Sequence, residues 1–212
     1  MAKKQVRADA RPLGEQGERT RAKLLEAARV VFRERGYAAA RVDDITQRAG
    51  TSHGAFYLYF ANKQGILEAL AAETAADMYR LADRLDAIST GDDGFEQLRD
   101  WVGSFVDEYE RHAPIVNAWI AADTEDDSRF DELGREVLAQ FAGKIARSIE
   151  RAVEAGVRHP VHPGTAAVAL VAMLERVCYF WIVRGGGFQR DVLVETLTAI
   201  WYEAIFGQRA RD

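Results

Sequence analysis

Apolar residues recur every three or four positions along most of the chain, and the stretches between these runs are short and rich in glycine, proline or acid. The first run puts Leu24, Leu25, Ala28, Val31 and Phe32 on one helical face. It stops at Gly36, with Arg33 and Arg35 in the last turn, where cations suit the helix dipole. Val42, Ile45 and Ala49 predict a two-turn helix ended by Gly50, the residue best suited to a left-handed C-cap, and Ser52 is placed to cap a very short aromatic helix after it. A fourth helix starts near Lys63 and carries Ile66, Leu67, Leu70, Met78, Leu81 and Leu85 to about Ser89. Beyond the break at Gly91-Asp-Asp-Gly94, helical spacing resumes with Phe95, Leu98, Trp101, Val102, Phe105 and Tyr109, up to His112.

Pro114 predicts the start of a separate short helix reaching about Ala122, and the acidic run Asp123 to Asp127 reads as a loop. Phe130, Leu133, Val137, Phe141, Ile145, Ile149 and Val153 then mark a long helix from about Ser128 to Ala155. Gly156 and His159-Pro-Val-His-Pro163 close it. The last two helices, about Thr165 to Arg184 and Arg190 to Phe206, are joined by three glycines. No alternation of period two appears, so the chain is predicted to be all-α with about nine helices. The helix after Thr165 is apolar on nearly all sides, which requires burial on more than one face.

Hydrophobic residues make up 48% of the chain, ample for a buried core. The net charge of −5 hides an asymmetry. Residues 1–63 hold 13 Lys and Arg against 7 Asp and Glu, whereas residues 64–212 hold 15 against 26. The basic end therefore carries the electrostatic footprint of a phosphate-binding surface, and the acidic remainder would repel nucleic acid. Residues 1–17 show no apolar period and read as a disordered basic arm, either lying in a minor groove or simply solvated. The single cysteine, Cys178, excludes an intramolecular disulfide, and no apolar leader follows the basic N-terminus, which places the expected location in the cytoplasm. Ala166 to Val183 is apolar enough to raise a membrane question. Glu175 and Arg176 near its middle would each cost roughly 2.5–3.5 kcal/mol in a bilayer, so a buried helix and no membrane partner are expected.

Two short helices joined by a glycine-containing turn form a helix-turn-helix, whose second helix enters the DNA major groove. The motifs here are several and ordered: Phe32-Arg-Glu-Arg-Gly36-Tyr37, Val42-Asp-Asp-Ile45, Ala49-Gly-Thr-Ser-His-Gly-Ala-Phe-Tyr-Leu-Tyr-Phe60 and Asn62-Lys63. In these motifs residues 18–70 resemble the DNA-binding domain of the tetracycline-repressor-like (TetR) transcription regulators. Two positions depart from the family pattern: Ala40-Arg41 replaces a Thr-Ser or Thr-Thr pair, and Ala55 replaces the usual Thr.

The resemblance implies a DNA-binding domain at 18–63 and a helical effector-binding and dimerisation domain at 64–212. It assigns base-edge contact to His53 and Ser52, close groove approach to Gly54, and phosphate contacts to Tyr57, Tyr59 and Lys63. Arg41 offers its guanidinium to a phosphate or a base, and Phe56 and Phe60 read as core. The resemblance further implies a homodimer whose last two helices form a four-helix bundle with those of the second subunit. Its candidate interface residues are Val168, Val171, Cys178, Ile182, Leu193, Leu197 and Trp201. A small hydrophobic effector, aromatic or fatty-acyl, is expected among Trp101, Phe105, Tyr109, Asn117, Trp119, Phe141, Met173 and Phe180. Asn117, His112, Tyr109 and Glu175 would orient it, or else hydrogen-bond one another.

The expected function is that of a repressor released from a pseudo-palindromic operator in double-stranded DNA by its effector. The alternative is a DNA-binding protein whose second domain serves only dimerisation or protein contacts. Neither a cofactor nor a metal is expected: His159 and His162 flank a Pro-Val pair with no carboxylate or cysteine nearby to complete a ligand set. An enzyme would need a nucleophile, a base and an orienting group, and none emerges.

Overall fold

A local cap or break explains most helix ends in the computed structural model, which describes residues 14–89, 91–122, 128–156 and 161–207, the side chains of 119–122 and 128–131 excepted. The order is α1 (Glu15–Ala39), α2 (Val42–Ala49), α3 (His53–Tyr59), α4 (Lys63–Asp83), α5 (Gly94–Ala122), α6 (Ser128–Glu154), α7 (Pro163–Cys178) and α8 (Arg190–Phe206). A 3-10 turn follows α4 at Arg84–Ala87, and a π-helical turn follows α7 at Tyr179–Val183. Among the described residues there is no strand, as the single 3.6-residue period predicts.

α1 starts at Glu15, within the stretch 1–17 expected to be an arm, and residues 1–13 lie outside the description. Acidic Glu15 and Glu18 in the first turn favour the helix N-terminus. The helical path breaks at Gly36, whose φ of 72° a side chain rarely adopts.

Among the described residues there are eight α-helices where about nine were expected, because α5 runs through Pro114. The proline has no N–H to give the carbonyl of Glu110, a loss that usually ends a helix. Burial on either side outweighs it: Ala113, Ile115 and Ala118 are all within 6% of complete burial.

Two compact units divide between Leu70 and Ala71, inside α4, whereas the sequence places the boundary at 63/64. In the first unit, α1 packs on α2 and α2 on α3 around Leu24, Ala28, Phe32, Ile45 and Phe56. In the second, α5 packs chiefly on α8 and α6 on α7. Trp101 and Trp201 stack at its centre, 5.4 Å between rings, and Trp101 Nε1 donates to Leu81 O at 2.9 Å. His162 caps α7 by accepting the backbone N–H of Thr165 at Nδ1 (3.1 Å), with Pro163 in the first turn.

Candidate functional site

Three local devices set the turn between α2 and α3. Gly50 takes the left-handed conformation (φ 63°, ψ 37°) and its N–H bonds Gln47 O, while Thr51 N–H bonds Thr46 O at 3.0 Å. Ser52 Oγ accepts the N–H of Ala55 at 3.1 Å, capping α3. Asp44 accepts the Arg41 N–H at 3.0 Å and Arg35 Nη1 at 2.8 Å, and Arg48 binds both oxygens of Glu34 at 2.7 Å, so two ion pairs tie α2 to α1.

This frame buries Phe56 and Phe60 and leaves Arg41, Ser52, His53, Gly54 and Tyr57 exposed, with Tyr59 half-buried. His53 Nε2 lies 2.5 Å from Asp43 Oδ1, and its ring is 5.5 Å from that of Tyr57, so the imidazole is held at a fixed angle on the outer face. Leu58 is the residue the sequence reading missed. It is 80% exposed beside Tyr57, and a leucine within an aromatic helix gives no signal of facing water until the core partners are known.

Gly54 is free of steric duty inside the subunit. A Cβ added there would meet only Ser52 Oγ, at an ordinary 3.8 Å. Gly54→Ala is therefore expected to stabilise the fold by about 0.5–1 kcal/mol, as Ala does in helices. Operator affinity should fall at least tenfold. Urea unfolding and DNA titration check this together, and unchanged DNA affinity would remove the reason for a glycine at this position.

Lys63 is placed differently from the phosphate contact expected of it. Its ammonium donates to Tyr37 O (2.7 Å), Ala40 O (3.0 Å) and Ala38 O (3.4 Å) and lies 4.3 Å from the Tyr37 ring centre. All three of its protons are spent on the end of α1, and burial pulls its pKa below the usual lysine value.

The second unit holds a cavity of about 220 Å³, partly open to solvent, lined by four helices. Thr74, Ala75 and Met78 line it from α4, Phe105, Tyr109, His112 and Val116 from α5, Gly134, Val137, Leu138 and Phe141 from α6, and Val171 and Glu175 from α7. Of the expected ligand residues, Phe105, Tyr109 and Phe141 meet here. Four of the others lie elsewhere. Trp101 is buried against Trp201, Asn117 is exposed, Phe180 is 55% exposed and Met173 does not reach the lining; the Trp119 side chain lies outside the description.

Tyr109 donates to Glu175 Oε1 at 3.2 Å, and burial followed by the Glu175 charge pushes its hydroxyl pKa far up. His112, 1% exposed, bonds Thr74 Oγ1 through Nδ1 and Asp77 Oδ2 through Nε2, both at 3.0 Å, and lies 3.3 Å from Glu108 Oε2. Ligand atoms of Asp77, Glu108 and His112 fall within 4.8 Å of one another, a spacing that suits a cation. Arg80 and Arg111 already pair with Asp77 Oδ1 and Glu108 Oε1, a polar junction between α4 and α5 in which Glu108 Oε2 is buried without a hydrogen-bond partner among the described residues.

The interface residues inferred from the sequence are largely turned inward. Cys178 and Trp201 are fully buried, Leu197, Leu193 and Val171 are within 7% of it, and Ile182 is half-buried against the core. A side chain with no exposed surface cannot meet a partner. Burial, then the Glu175 charge, also pushes the Cys178 thiol up to about 12, which removes it as a nucleophile. Val168, also among the inferred interface residues, is exposed (60%), as are Phe180, Phe188 (62%), Val192 (55%) and Ile200 (43%).

Residues 24–70 match the family model for bacterial regulatory proteins of the tetR family, and residues 98–207, just over half the chain, match that for the C-terminal domain of the transcriptional regulator EthR. The chain belongs to the tetR family. Among TetR relatives, the regulator YvdT of Bacillus subtilis is 34% identical over 98 residues, and the match spans about half of each protein, 44% of this chain and 47% of YvdT. EthR of Mycolicibacterium smegmatis is 26% identical over 215 residues, 95% of this chain and 91% of that protein. The fold is shared with NalD, the secondary repressor of the MexAB-OprM multidrug efflux pump in Pseudomonas aeruginosa. The TM-score is 0.69 at 22% identity, over 90% of this chain and 98% of that one.

Proposed function

We propose that this TetR-family protein is a cytoplasmic homodimeric repressor, not an enzyme, which holds a pseudo-palindromic operator through α3 and lets go when a small, largely apolar molecule fills the cavity. The observation that carries the reading is that α4 serves both ends: it opens with Lys63 in the first unit and gives Thr74, Ala75 and Met78 to the cavity wall in the second. A ligand wedged against those three side chains favours one pose of α4. Each head must meet successive major grooves roughly 34–36 Å apart, so a change of pose costs DNA affinity. NalD's role as a repressor supports the sign of control.

In the complex, His53 and Ser52 read base edges, Gly54 lets the backbone approach, Tyr57, Tyr59 and Arg41 hold phosphates, and Leu58 offers an apolar contact to a thymine methyl. Lys63 fixes the end of α1 and touches no phosphate. The exposed apolar side chains of the last two helices are covered by the second subunit, which also accounts for Pro163–Val183 being long and apolar enough to pass for a membrane span with only 28% of its most apolar window buried in one subunit.

The test is reciprocal titration. Any compound that loosens the operator tenfold must itself bind tenfold more weakly to the DNA-bound protein, about 1.4 kcal/mol of coupling. The affinity for DNA must also fall as salt rises and must fail on scrambled duplexes. A compound that binds the cavity with equal strength in the presence and absence of operator defeats the regulatory half of the proposal and leaves a DNA-binding dimer.

A further inference from the structure

The cavity wall is apolar except at its α5 and α7 side, where the one carboxylate among the described lining residues, Glu175, stands with no lysine or arginine beside it in the lining. Glu175 Oε1 accepts the Tyr109 hydroxyl at 3.2 Å. Its Oε2 lies 3.8 Å from Nε of Arg176, whose side chain is 61% exposed and forms no part of the wall. His112 turns neither ring nitrogen to the cavity, because its Nε2 edge faces Asp77 and Glu108 and its Nδ1 edge Thr74. The upward shifts of the Tyr109 hydroxyl and the Cys178 thiol, to both of which Glu175 contributes after burial, agree with a negative field at this end.

We infer that Glu175 makes the cavity select apolar molecules carrying a basic amine and reject carboxylates of the same size, fatty acids included. The inference rests on the cavity being the effector site. An ammonium entering with its apolar tail against Phe105, Phe141 and Met78 meets the carboxylate beside an apolar wall, on a side chain only 33% exposed, where the pair is screened less than at the open surface. It also finds Glu175 with lone pairs to spare, since Tyr109 occupies one direction of one oxygen. An entering carboxylate loses its hydration and faces a like charge. An alcohol of the same skeleton does neither, and so reports the apolar wall alone.

The experiment is calorimetric titration of the full-length protein with 4-phenylbutylamine, 4-phenylbutanol and 4-phenylbutyrate, and again with decylamine, decanol and decanoate, on the parent chain and on Glu175→Gln. Glutamine keeps an acceptor for Tyr109 and removes only the charge, and thermal unfolding verifies that the variant is folded. On the parent chain the amine is expected to bind at least tenfold more tightly than the acid, with the alcohol between them. In Glu175→Gln the amine and acid should come within about threefold of each other, and the alcohol should bind as before. Equal binding of amine and acid to the parent chain overturns the selection, as does a tenfold gap that survives in Glu175→Gln. If the alcohols also fail to bind, the cavity is not an effector site and the reading beneath the inference falls with it.

Discussion

A glutamate placed at Val168 and Ile200 together is expected to yield a monomer that has lost its hold on the operator by a hundredfold or more, while the head stays folded. Both side chains project from the last two helices with 60% and 43% of their surface exposed. They do so alongside Val192, Phe180 and Phe188, too much apolar surface for two helices to leave in water without reason. Two linked heads bind with the second contact made intramolecularly, and this gain disappears in a monomer. Sedimentation velocity and DNA titration of the same sample measure the two effects. Leu197→Glu serves as the contrast: that side chain is 3% exposed within the subunit, so its replacement should unfold the second unit rather than split a dimer. A Val168→Glu/Ile200→Glu protein that sediments as a dimer would move the interface elsewhere.

Lys63→Ala is expected to destabilise the head by about 2 kcal/mol, since three backbone carbonyls lose the charged donor that serves them. The effect on DNA is the more telling measurement. On the proposed reading Lys63 touches no phosphate, so the dependence of log affinity on log salt should keep its slope at a temperature where the variant is folded. Arg41→Ala, which removes an exposed guanidinium, should flatten that slope by about one. A Lys63→Ala head that melts like the parent yet shows the flatter slope would restore the phosphate role.

Lys63 marks where sequence reading stops. The break at Gly36, the left-handed Gly50 and the Ser52 cap were legible because each acts on backbone within a few residues of itself. The role of Lys63 was not, because its partners Tyr37, Ala38 and Ala40 lie at the end of α1, more than twenty residues away and brought near only by the fold. Pro114 misled for a related reason: a local rule against proline lost to the burial of Ile115 and Ala118, which spacing alone does not weigh. On the last two helices, apolar residues on all sides announce two buried faces but not which one points inward, so spacing cannot tell that Trp201 and Cys178 belong to the core. The cavity shows the same limit. Period marked Phe105, Tyr109 and Phe141 as apolar-face residues, yet Trp101, one turn from Phe105, fills the core instead.

The separation of labour within α3 has an evolutionary consequence. Phe56 and Phe60 hold the helix down, and Ser52 starts it, while His53, Gly54, Tyr57 and Leu58 face outward and owe the fold little. Mutations at those four outward positions are cheap in stability, so a duplicated copy of this gene can drift toward a new operator without first passing through an unfolded ancestor.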